Sequence, residues 1–134
     1  MLTAFVLLTT DCPRGCAWCY NQFYPPVPGT RLRGAAATAI PRLKQLGVGQ
    51  LIFSGGEPTG AAELDEWLRQ ATAAGLLTAL VTNGEGLRAT EVALWREAGL
   101  SMLTCSLPSV ADAEVPTVEG VLADAQARLM AARD

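Results

Sequence analysis

The chain contains no histidine. That removes the commonest general base at neutral pH and the imidazole ligand used by many zinc sites. Charge is also sparse, at 17% of residues with a formal net charge of −3, so no basic face of the kind that captures nucleic acid is expected. Arg31, Arg33, Arg42 and Lys44 form the only local basic concentration and read as a solvated helix face. Long apolar runs are missing too. Leu2 to Leu8, with Thr3 inside it, falls far short of the roughly 20 residues that cross a bilayer. It lacks a preceding basic segment, so it reads as a buried strand and not as a secretory signal. A cytoplasmic protein without membrane association is expected.

What the chain does have is apolar material: half of its 134 residues are hydrophobic, enough for one compact core and one domain over residues 1–134. β-rich runs alternate with helical patterns, the signature of an α/β fold with a parallel sheet. Strand one is read at Thr3 to Thr9, and a long loop follows from Asp11 to Gly29, holding Pro25, Pro26 and Pro28. A first helix over Gly34 to Leu46 stops at Gly47, with Pro41 predicting a kink or a late start. Strand two is Gln50 to Ser54. Helix two, Ala61 to Ala74, buries Leu64, Trp67, Leu68 and Ala71 and ends at Gly75. Strand three is Leu77 to Thr82. Helix three runs Thr90 to Ala98, capped by Thr90 and closed by Gly99, and strand four is Ser101 to Ser106. After a loop from Leu107 to Pro116, a fourth helix over Thr117 to Ala132 carries Val118, Val121, Leu122, Ala125 and Leu129 on one stripe.

Four cysteines occur, and three of them, Cys12, Cys16 and Cys19, crowd into the loop after strand one. Thiols in a reducing compartment favour metal binding over disulfides. Their spacing aims three thiolates at one point, which suits an iron–sulfur cluster or zinc. A structural zinc site wants four protein ligands. Cys105 is the remaining thiol and reads more simply as a small buried strand residue.

The run Asp11-Cys12-Pro13-Arg14-Gly15-Cys16-Ala17-Trp18-Cys19 resembles the C-x3-C-x2-C loop of the radical S-adenosylmethionine (SAM) superfamily, with an aromatic residue before its third cysteine. The resemblance implies a 4Fe-4S cluster on Cys12, Cys16 and Cys19, whose remaining iron is chelated by SAM. A reduced cluster would then cleave SAM to a 5′-deoxyadenosyl radical that abstracts hydrogen from a substrate. Backbone around Trp18 and Tyr20 would meet the adenine. Ser54-Gly55-Gly56-Glu57-Pro58, ending strand two, looks like the family's GGEP motif for the SAM amino group, with Gly55, Gly56 and Glu57 as the contacts. Its glycines would admit ligand close to the backbone, and its carbonyls and carboxylate suit an ammonium. Thr82-Asn83-Gly84 resembles the family's TNG element near the ribose and carboxylate, and Ser106 falls where members place a polar ribose contact.

Family cores usually carry six βα units and four are read here, so an open partial (βα) barrel is expected. An uncovered sheet edge would then call for a second copy, a separately encoded partner or a substrate protein. The resemblance further implies a flavodoxin- or ferredoxin-like electron donor, and a peptide, protein or small molecule as substrate. A glycyl-radical-enzyme activating protein and a non-catalytic cluster- or zinc-binding accessory protein are the competing readings. No acid, base or nucleophile stands out beyond the cofactor ligands: Asp11, Asp65, Glu66 and Glu91 read as loop and helix-surface charges.

Overall fold

A computed structural model describes residues 1–27, 32–85 and 87–106, together with residues 123, 126, 127 and 130. Strands β1 (Leu2–Thr9), β2 (Val48–Gly55), β3 (Leu77–Thr82) and β4 (Met102–Cys105) alternate with helices α1 (Ala36–Gln45), α2 (Leu64–Ala73) and α3 (Ala89–Glu97). All neighbouring strands are parallel, in the spatial order β1-β2-β3-β4. This is the open α/β arrangement expected, since each helix returns the chain to the same end of the sheet. The expected loop from Leu107 to Pro116 lies outside the described residues. So does the fourth helix, apart from Ala123, Gln126, Ala127 and Met130, which are helical.

One face of the sheet carries the core. Leu51, Phe53 and Leu80 point from it into a cluster with Ile40 of α1, Leu64, Trp67, Leu68 and Ala71 of α2, and Val92 and Trp95 of α3. The α2 stripe is the one its periodicity predicts. Phe53 and Trp67 meet edge to face, with ring centroids 6.3 Å apart. Truncating a buried ring leaves a cavity that this packing cannot refill, so Phe53→Ala should cost about 3–5 kcal/mol. A urea titration followed by circular dichroism checks this.

Two local readings need correction. Helix α1 starts at Ala36 and not at Gly34, after a turn closed by the Ala35 N–H on the Leu32 carbonyl. Pro41 therefore falls inside the helix, where it has no N–H to offer the Ala37 carbonyl. The N-cap of α3 is Arg88, with extended backbone and no side-chain cap bond, so Thr90 lies within the helix and does not cap it. The predicted stops hold: Gly47, Gly75 and Gly99 follow the three helices with φ of +83°, +73° and +104°.

Among the described residues the opposite sheet face is exposed at its outer strands and buried at its centre, where Ala79 is fully covered. In register across the four strands lie Phe5, Ile52, Ala79 and Met102, and of these Phe5 is 68% and Met102 49% exposed. Strand ends also line up, with Thr9 beside Gly55 and Thr82 beside Cys105. The loops that leave the strands therefore meet at one end of the sheet, the end at which parallel α/β folds place their sites.

Candidate functional site

At that end the chain forms a cleft of about 130 Å³, open to solvent. Its lining brings Cys12, Cys16, Trp18, Cys19 and Tyr20 of the first loop together with Gly55, Gly56, Thr82, Asn83 and Ser106. Ten of the eleven residues predicted from the sequence thus share one cavity.

The first loop is rooted by hydrogen bonds. The Asp11 N–H donates to Thr9 Oγ1 at 3.0 Å, and Asn21 Nδ2 donates to the Thr10 carbonyl at 2.6 Å. A short 3-10 helix, Tyr20–Phe23, follows Cys19, whose Sγ accepts the Asn21 N–H at 3.4 Å. Tyr20 reaches across to β2, its hydroxyl 3.2 Å from Ser54 Oγ, and packs edge to face on Tyr24. From the far side Asn83 Nδ2 lies 3.9 Å from Cys12 Sγ. Across the rim Arg14 Nε pairs with Glu85 Oε2 at 3.1 Å; such a solvent-facing pair adds little stability.

Gly55 and Gly56 stand at the junction of these loops. Gly55 has φ +132°, a region L side chains rarely enter, and a Cβ there would lie 2.2 Å from the Thr9 carbonyl oxygen. At Gly56 a Cβ would lie 2.2 Å from the Asp11 carbonyl oxygen. The contacts are with the backbone at the end of β1 for Gly55 and at the start of the cysteine loop for Gly56. The Gly56 N–H donates to the Thr9 carbonyl and the Glu57 N–H to the Asp11 carbonyl, each at 2.7 Å, extending the β1–β2 ladder into the loop. These glycines thus let the two loops dock, a task beyond the ligand access expected of them.

Glu57 is the eleventh predicted residue, and it does not line the cleft. Its side chain is buried, and its carboxylate accepts from Thr59, Thr82 and Asn83. Arg14, Ser54 and Val81 line the cleft without having been singled out. A signal existed for two of them: Arg14 lies between two cysteines that converge, and Ser54 immediately precedes the glycine pair. Cys105 is absent from the lining and half-buried at the end of β4.

The radical SAM superfamily profile matches residues 6–128. The chain belongs to the radical SAM superfamily. Among its relatives, the PqqA peptide cyclase of Gluconobacter oxydans is 34% identical over 126 residues, 93% of this chain and 35% of that protein. The PqqA peptide cyclase of Rhodopseudomonas palustris is 35% identical over 106 residues, 78% of this chain and 28% of that protein. The chain therefore spans about a third of the length of these relatives. Of solved structures, BtrN in an open conformation superposes with a TM-score of 0.67 at 22% identity, covering 84% of this chain and 52% of BtrN. Streptococcus suis SuiB bound to SAM superposes at 0.66 and 18% identity, covering 82% of this chain and 26% of SuiB. Those likenesses bear on the fold: the four parallel strands form an open α/β sheet that superposes on part of radical SAM (βα) barrel proteins.

The superfamily's cofactors are a 4Fe-4S cluster and SAM. The donor set fits such a cluster, with three thiols on one cleft, no imidazole, and N–H groups of Asn21 and Asn83 directed at two of the sulfurs. Among the described residues no three Cys, Asp or Glu side chains are yet gathered closely enough to hold an ion. Binding a cluster here would draw the three thiols together, as is usual where metal binding and loop ordering are coupled.

Proposed function

We propose that this chain forms the cofactor-binding core of a radical SAM enzyme that modifies a peptide. The observation carrying this reading is the convergence of Cys12, Cys16 and Cys19 with Gly55, Gly56, Thr82 and Asn83 on one cleft. In this reading the three thiolates hold the cluster. Carbonyl and N–H groups of the glycine loop and of the Thr82-Asn83 turn, with Ser106, bind and orient SAM, and Trp18 and Tyr20 flank the adenine. When bound, cluster and SAM supply one-electron reductive cleavage and hydrogen abstraction.

The peptide assignment rests on the PqqA peptide cyclases among the relatives. Phe5 and Met102, exposed at the two ends of the row across the sheet, offer apolar surface for a substrate or for further strands. A flavodoxin- or ferredoxin-like protein is the proposed electron donor. A cytoplasmic location suits the reduced thiols, and no described helix is long and apolar enough to cross a membrane. Residues 1–134 form one domain in this reading, and a second copy or a partner covers the outer edge of β1 or β4.

The test is anaerobic reconstitution, reduction with dithionite and addition of SAM. Methionine and 5′-deoxyadenosine should form together. Protein loaded with cluster that gives no deoxyadenosine and no SAM-dependent spectral change would refute the enzymatic reading.

A further inference from the structure

Glu57 is 6% exposed, and among the described residues no Lys or Arg pairs with it. A buried carboxylate without a cation must be met by hydrogen-bond donors. Four are present. Oε1 accepts from the Thr59 N–H at 3.2 Å, the Thr59 hydroxyl at 2.8 Å and the Thr82 hydroxyl at 2.6 Å. Oε2 accepts from the Asn83 N–H at 2.8 Å. The Glu57 side chain thus serves as acceptor to two N–H or hydroxyl donors from its own loop and two from the neighbouring strand end.

Two of those donors belong to a turn at the end of the neighbouring strand. Thr82 Oγ1 in turn accepts the Gly84 N–H at 3.0 Å, and Asn83 Oδ1 accepts the Glu85 N–H at 2.7 Å. That second bond fixes which way the Asn83 amide faces, with Nδ2 toward Cys12 Sγ. A continuous chain therefore runs from the Glu57 carboxylate through the Asn83 backbone and amide to the first cysteine of the loop.

We propose that Glu57 is a positioning residue, holding the Thr82-Asn83-Gly84 turn so that Asn83 donates to the Cys12 thiolate and raises the reduction potential of the cluster. The inference rests on the function proposed above. An N–H donated to a ligating sulfur stabilises the electron-rich reduced state, so losing it lowers the potential. Glu57→Gln replaces one acceptor oxygen with an amide NH2. Whichever way that amide turns, a donor then faces either the Asn83 N–H or the two threonines.

The experiment is a redox titration of the anaerobically reconstituted protein followed by electron paramagnetic resonance, preceded by iron and sulfide analysis. Asn83→Ala and Glu57→Gln should each shift the midpoint to more negative values. The double variant should shift no further than the larger single shift, because both act through one bond. Should Glu57→Gln not fold, Thr82→Val, which keeps the shape but removes the hydroxyl that donates to Glu57 and accepts the Gly84 N–H, takes its place and should give a shift of the same sign. A Glu57 that merely supports the fold would lower the melting temperature and leave the potential unmoved, and that outcome overturns the inference alone. A wild-type protein that takes up no iron overturns the proposed function as well.

Discussion

Replacing Cys12, Cys16 or Cys19 by Ala should abolish cluster binding, whereas Cys105→Ala should retain it. Reconstituted wild-type protein should carry about four irons and four sulfides per chain, and each loop variant almost none. The asymmetry follows from placement. Cys12, Cys16 and Cys19 line the same cleft, while Cys105 does not reach it and sits half-buried, its Sγ 3.9 Å from the Ser106 carbonyl. A cubane held by three thiolates loses a third of its protein ligands with each substitution, and no histidine or fourth cysteine stands in the lining to replace it. SAM cleavage should fall below detection with the cluster. Loss of iron on Cys105→Ala, with full retention in a loop variant, would point to a different, four-thiolate site.

Most of this site is legible in the sequence because its parts are local. Cys12, Cys16 and Cys19 fall within one loop, the glycine pair ends one strand and Thr82-Asn83 ends the next, so a parallel βα order alone stacks them at one end of the sheet. Helix α2 is legible for a similar reason: Leu64, Trp67, Leu68 and Ala71 recur at helical spacing, and burial selects that face. Helix starts are less so. Thr90 has the chemistry of a cap, but Arg88 already has the extended backbone that precedes a helix, and nothing in the local sequence ranks the two. The aim of Glu57 is least legible. A carboxylate at the end of a strand can turn to the cleft or beneath it, and the choice here is made by donors from Thr82 and Asn83, 25 and 26 residues further along. The roles of Gly55 and Gly56 share that dependence, since their closest neighbours belong to residues 9 to 11.

Gly56→Ala should therefore cost the protein both its cluster and its affinity for SAM. If the glycine served only to admit ligand, an added methyl would obstruct SAM and spare the cluster. The neighbouring atoms predict otherwise. A Cβ at Gly56 would stand 2.2 Å from the Asp11 carbonyl oxygen and 2.7 Å from the Thr10 carbonyl carbon, against an ordinary contact distance of about 3.5 Å or more. The obstructing atoms are backbone, so no rotamer change relieves the clash. The segment from Thr10 to Asp11 must retreat by about 1 Å, and it carries the acceptor of the Glu57 N–H and leads into Cys12. Overpacking of this kind costs about 1–3 kcal/mol and concentrates its distortion where the structure yields most easily. Here that is the cysteine loop. Gly55→Ala should behave alike, with the strain of a side chain at φ +132° added to a 2.2 Å approach to the Thr9 carbonyl. Iron analysis after reconstitution, beside calorimetric titration with SAM, separates the two accounts: full iron with SAM binding lost would assign the glycines to ligand clearance. Loss of iron in step with SAM would make them the hinge on which the cluster loop is hung.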